Sequence, residues 1–100
     1  MTFKELNIIQ PILKAIEEKG YNRPTQIQQQ AIPVALSRKD ILGCAQTGTG
    51  KTASFAIPII QLLQADPIIT KRKGVKALIL TPTRELALQI SECLDEYARY

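Results

Sequence analysis

Histidine is missing from this 100-residue chain. Acid–base chemistry and metal ligation by imidazole are therefore excluded. Cysteine is scarce: Cys44 and Cys93 are the only two, and neither lies in a Cys-x-x-Cys pair. Two such residues do not make a zinc site. They are expected to be free thiols in a reducing cytosol. No run approaches the roughly 20 apolar residues needed to cross a bilayer. The opening, Met1-Thr2-Phe3-Lys4-Glu5-Leu6, contains an acid and no continuous apolar stretch, so it does not read as a signal peptide. Repeats, low-complexity tracts and interdomain linkers are absent as well. A soluble, cytoplasmic chain with no membrane partner is the expectation.

What is present suits one small domain. Hydrophobic residues make up 45% of the chain, enough to bury a modest core. The net charge of +4 leans toward an anionic partner without requiring one.

Capping signals and apolar spacing divide the chain. Thr2 and Glu5 resemble a capping box, with Met1 and Leu6 as its staple. They open an expected helix from about Phe3 to Lys19, with Leu6, Ile9, Leu13 and Ile16 along one face and Gly20 as its stop. A second helix is expected from Gln26 to Ser37, capped by Thr25 and Gln28 and kinked at Pro33. Ile41 to Ala45 reads as a short buried strand. A third helix should run from Lys51 to about Leu63, with Pro58 inside it. Val75 to Thr81 is apolar except for Lys76 and suits a strand covered on both faces. Thr83 caps a last helix from Arg84 to about Arg99, with Leu86, Ile90, Leu94 and Tyr97 on one face. Strands alternating with helices imply an α/β fold with a parallel sheet flanked by helices.

The most specific pattern is Gln46-Thr47-Gly48-Thr49-Gly50-Lys51-Thr52, placed between the first expected strand and the third helix. Glycines let backbone N–H groups turn inward around a phosphate. The helix starting at Lys51 adds the positive end of its dipole. Lys51 can reach the β- and γ-phosphates of a nucleotide, and Thr52 offers a hydroxyl where Mg²⁺ would sit. Ala45 stands where the strict phosphate-loop pattern has glycine.

A second cluster precedes it: Gly20-Tyr21-Asn22-Arg23-Pro24-Thr25-Gln26-Ile27-Gln28. A primary amide both donates and accepts, so Gln28 suits the N6 and N7 edge of adenine. Phe3 and Arg23 could each stack on the ring. The same residues also have plain structural roles, Gln28 as the partner of a Thr25 cap and Phe3 as packing under the first helix. Thr83 and Arg84 carry a similar ambiguity. A helix amino terminus beside an arginine suits an RNA phosphate, while Thr83 reads equally well as a cap and Arg84 as a solvated charge. Lys71-Arg72-Lys73 reads as a solvated loop.

These motifs together resemble those of the DEAD-box ATP-dependent RNA helicases. Gly20-Tyr21-x-x-Pro24-Thr25-x-x-Gln28, with Phe3 seventeen residues before Gly20, is similar to the family's Q motif. Ala45 to Thr52 looks like its Walker A sequence, in which alanine is the usual opening residue. Pro82-Thr83-Arg84-Glu85-Leu86-Ala87 looks like its first RNA-contacting motif. The resemblance implies the amino-terminal part of a RecA-like ATP-binding domain, with ATP and Mg²⁺ as cofactors and RNA as partner. By that resemblance the nucleotide is held by Phe3, Arg23, Gln28, Gln46, Thr47, Gly48, Thr49, Gly50, Lys51 and Thr52. Lys51 is the one catalytic residue, Thr52 the Mg²⁺ contact, and Thr83 and Arg84 touch the RNA backbone.

The family's Asp-Glu-Ala-Asp acids and its second RecA-like domain lie beyond these residues. Asp95-Glu96 is no substitute, because its spacing puts it on a helix. The piece alone is expected to be inactive, and to self-associate or need the rest of its domain. The competing readings are a non-helicase phosphate-loop protein, such as a small-molecule kinase, and a natural short binding protein.

Overall fold

The computed structural model describes residues 2–44, 50–65 and 74–100. Among the described residues the elements are a 3-10 turn, Phe3–Leu6, followed by four helices: α1 (Gln10–Glu18), α2 (Gln26–Leu36), α3 (Lys51–Ala65) and α4 (Arg84–Tyr97).

The expected first helix is broken in two. Thr2 is extended and makes no side-chain cap bond, and Asn7 ends the 3-10 turn in the left-handed conformation at φ 63°. The chain restarts at Gln10, with Pro11 in the first turn, where its missing N–H costs nothing. This restart resets the helical phase. Ile12, Ala15 and Ile16 of α1 are buried, Leu6 of the expected stripe is buried from the 3-10 turn, and Ile9 and Leu13 pack at the edge of the core. Gln61 of α3 fastens the break. Its Oε1 accepts from the Ile9 N–H at 3.0 Å, and its Nε2 donates to the Asn7 carbonyl at 2.8 Å. These are backbone groups that a continuous helix would have satisfied itself.

The other caps agree with the sequence. Thr25 and Gln28 form a complete capping box on α2. Thr83 accepts from the Leu86 N–H at 3.1 Å and starts α4. Gly20, at φ 82°, turns the chain out of α1 at no steric cost.

The core gathers Phe3, Leu6 and Ile8 with Ile12 and Ile16 of α1, Ile32 of α2, Ala53, Ala56 and Ile57 of α3, and Tyr97 of α4. Small residues on the facing sides of α2 and α3, namely Ala31, Ala53 and Ala56, let the two helices approach closely. Leu94 and Cys93 of α4 pack against the same cluster from outside. Among the described residues, no helix is long and apolar enough to cross a membrane.

The α/β expectation is overturned. Among the described residues there is no β-strand, so the parallel sheet of a RecA-like domain is not formed. Residues 41–44 and 75–81 run without helix or strand. The reason is physical: a strand exists only when a neighbour takes up its backbone N–H and C=O groups. The sequence supplies the apolar run, but these two segments do not pair with one another. Their side chains stay in solvent, with Leu42 95% and Leu80 85% exposed and Val75 and Leu78 close behind. Ala45, at the end of the first expected strand, lies outside the described residues, as do Met1 and the basic run 71–73.

Large apolar side chains left in water each forgo about 1.5–3 kcal/mol of burial. Four of them match a good part of the roughly 5–15 kcal/mol that stabilises a typical domain. The chain on its own is therefore expected to self-associate at micromolar concentration, and Leu78→Lys with Leu80→Lys should reduce the association. Sedimentation velocity measures both. A monomeric wild type with a sharp cooperative melt would refute the expectation.

Candidate nucleotide site

The site is assembled where α2 and α3 begin. Thr25 is extended, and its Oγ1 accepts from the Gln28 N–H at 3.5 Å. In return the Thr25 N–H donates to Gln28 Oε1 at 2.9 Å. The remaining end of the amide reaches across to the other helix, where Gln28 Nε2 donates to the Gly50 carbonyl at 3.2 Å. That carbonyl also accepts the first bond of α3, from the Ser54 N–H at 3.2 Å. Gln28 is only 4% exposed, so these partners replace water it has given up.

Gly50 cannot be another residue here. Its φ of 81° disfavours any side chain, and a Cβ would lie 2.3 Å from Gln28 Nε2 and 3.2 Å from Thr25 Oγ1. The glycine thus provides both the turn into α3 and the close approach of Gln28.

Beside this junction lies a cavity of about 520 Å³. Thr25, Gln28, Gly50, Lys51 and Thr52 line one side, with Phe3, Tyr21 and Arg23 next to them. Lys51 and Arg23 are exposed, and Thr52 is half-buried. Phe3 is buried in the core and shows the cavity only its remaining surface. Gln46, Thr47, Gly48 and Thr49 lie outside the described residues.

The opposite wall was not foreseen from the sequence. It consists of Leu86, Gln89, Ile90, Cys93 and Tyr97 of α4, with Lys19 from the end of α1. Leu86, Ile90 and Tyr97 belong to the apolar face read as core, while Gln89 and Cys93 lie beside that stripe. Helical spacing identifies a face but not what the face borders. Burial pushes the Cys93 thiol up from its usual range, with the Lys19 ammonium pulling the other way. The thiol is therefore protonated at neutral pH.

Thr83 and Arg84 are exposed at the start of α4 and do not line the cavity. The Thr83 hydroxyl serves as the cap, and its carbonyl accepts from Thr81 Oγ1 at 2.9 Å. The structure thus brings Phe3, Arg23, Gln28, Gly50, Lys51 and Thr52 around one cavity and leaves Thr83 and Arg84 on a separate surface.

The donor set fits a nucleotide better than a bare metal. A helix amino terminus, one ammonium and a hydroxyl suit phosphate oxygens. Among the described residues no group of acids or cysteines could hold a metal ion. Thr52 offers a single hydroxyl, so Mg²⁺ would arrive with the phosphates, as it commonly does.

Comparison with known proteins identifies the family. Residues 25–100 match the family described as DEAD/DEAH box helicase. The chain is 53% identical over 91 residues to the ATP-dependent rRNA helicase rrp3 of Schizosaccharomyces pombe, covering 91% of this chain and 18% of that protein. It is 49% identical over 100 residues to the ATP-dependent RNA helicase SrmB of Escherichia coli, covering 99% of this chain and 22% of that protein. The chain therefore spans about a fifth of the length of the curated relatives it matches. Its path is similar to the RNA helicase Prp28 from Chaetomium thermophilum bound to ADP, with a TM-score of 0.88, 39% identity, and coverage of 98% of this chain and 24% of that one. It is also similar to a DEAD box protein from Methanococcus jannaschii, with a TM-score of 0.86, 45% identity, and coverage of 98% of this chain and 26% of that one. The family match takes in the Thr25–Gln28 box, the start of α3 and all of α4, and the chain belongs to the DEAD/DEAH box helicases.

Proposed function

We propose that this chain supplies an ATP-binding surface and an RNA-backbone contact to an ATP-dependent RNA helicase, whose ATP hydrolysis drives local unwinding or remodelling of RNA duplexes. One observation carries the reading: the Gln28 amide joins the cap of α2 to the last glycine before Lys51, beside a cavity large enough for a nucleotide. The family match and a solved relative holding ADP support it.

In this reading, α3 directs its amino terminus and the Lys51 ammonium at the β- and γ-phosphates. Thr52 meets the Mg²⁺ that the nucleotide carries. Gln28 reads the adenine edge with the donor and acceptor capacity its structural bonds leave unused. Phe3 and Arg23 border the ring. ATP hydrolysis supplies the free energy for strand separation. Thr83 and Arg84, on their separate surface, would hold an RNA phosphate.

Two substitutions test the site. Lys51→Ala should abolish binding of a fluorescent ATP analogue while changing stability by no more than about 0.5 kcal/mol, because the side chain is exposed. Unaltered binding would remove the phosphate-loop assignment. Gln28→Ala should weaken ATP more than GTP, and should also lower stability by about 1–3 kcal/mol through its lost partners. Competition titrations paired with denaturation curves separate the two effects. Equal losses for both nucleotides would reduce Gln28 to a helix cap.

A further inference from the structure

The carboxyl ends of α1 and α4, far apart in sequence, meet at one cation. Lys19 is the C-cap of α1, and its backbone N–H still donates to the Ala15 carbonyl at 3.2 Å, so the base of the side chain is fixed by the helix. Its ammonium pairs with Glu96 of α4. The same ammonium faces the Tyr97 ring at 5.2 Å and the Tyr21 ring at 5.7 Å from their centroids. Both distances lie within cation–π range. Tyr97 is buried, and its phenol is held in the neutral form by that burial.

The cation therefore has two attachments on α4, Glu96 and Tyr97, and one on the turn, Tyr21. Immediately after Lys19, Gly20 redirects the chain into residues 21–25, and Tyr21, Arg23 and Thr25 of that turn line the cavity. Tyr21 is half exposed. Its ring meets the Lys19 ammonium, and its backbone N–H donates to the Ile16 carbonyl at 3.3 Å. Outside this point, Lys14 lies 4.1 Å from the Tyr100 ring centroid and Glu18 pairs with Arg99 at 3.6 Å. Those contacts hold the same two helix ends together, but they do not touch the turn.

We propose that Lys19 is a positioning residue for the nucleotide cavity: by bridging Tyr21 to Glu96 and Tyr97, it holds the 20–25 turn against α4 and so fixes the wall that faces the base. The proposal rests on the nucleotide reading of the cavity and extends it to a residue outside the motifs. It also makes α4, which carries Thr83 and Arg84 at its other end, part of the mounting of the base-facing turn.

The test uses the whole chain with Lys19→Met, which keeps the stem and removes the charge, alongside Lys19→Arg, Glu96→Gln and the Lys19→Met/Glu96→Gln pair. Two readouts are taken: affinity for a fluorescent ATP analogue and hydrogen exchange of the backbone. Lys19→Met should weaken binding roughly threefold to tenfold. It should also speed exchange in residues 20–25 and leave the interior of α3 unchanged. Lys19→Arg should restore both. Glu96→Gln should resemble Lys19→Met, and the double variant should be no worse than either single one. Unchanged exchange in the turn, or losses that simply add, would overturn the proposal. A general rise in exchange across α1, α3 and α4 would also overturn it, by showing a role in stability alone. If the wild type fails to bind ATP while the turn still loosens in Lys19→Met, the nucleotide reading falls and the positioning of the turn stands.

Discussion

The structure depends on one shared side-chain amide. Gln28 satisfies the start of its own helix through Thr25 and the start of another through Gly50. Each bond has a modest net worth of about 0.5–1.5 kcal/mol, but leaving the buried Gln28 amide unmatched would cost about 1–3 kcal/mol. This asymmetry makes the junction specific. The approach is possible only because residue 50 has no Cβ, and the turn into α3 only because it tolerates a positive φ. Two requirements of different origin, one of conformation and one of space, fall on the same glycine.

From that junction the packing follows. With their amino ends tied, α2 and α3 close on one another over Ala31, Ala53 and Ala56, which present little bulk. Ile32 and Ile57 then fill the seam completely. Pro58 lies fully buried in α3 and removes the N–H that would have bonded the Ser54 carbonyl. The core accepts this loss because the helix is held by its flanks: Gln61 grips the Asn7–Ile9 break on one side, and Tyr97 of α4 packs on the other. α1 and α4 are thus dependents of α3, and the cavity is the space left between α4 and the tied helix ends.

Features with a local cause were legible in the sequence. The Thr25–Gln28 box, the Thr83 cap and the Gly20 stop each need only a few neighbouring residues, and all three are present. The Thr2–Glu5 pattern has the same local form yet makes no cap. Asn7 and Pro11 favour a restart, and Gln61, more than fifty residues away, supplies the bonds that make the restart stable. The strands failed for a related reason. Ile41–Cys44 and Val75–Thr81 have the apolar composition of buried strands, but a ladder is a property of two segments, and composition describes one. The site divides along the same line. Phe3, Arg23, Gln28, Gly50, Lys51 and Thr52, all singled out by motif, line one cavity, whereas Lys19, Gln89 and Cys93 reach it through tertiary packing that no spacing rule encodes.

The cap and the proposed base-reading role of Gln28 are compatible on valence grounds. A primary amide offers two N–H hydrogens and two acceptor lone pairs. Thr25 occupies one lone pair and Gly50 one hydrogen. One donor and one acceptor remain, which is the complement an adenine N6–N7 edge requires. The structural bonds also fix the amide's orientation, since exchanging its O and N would set like groups against the Thr25 N–H and the Gly50 carbonyl. A ligand that uses the remaining valences therefore meets an amide already oriented and held by two helices, and little rotamer freedom is left to be lost on binding. The packing that makes Gln28 a cap is the same packing that would make it a selective reader of one base.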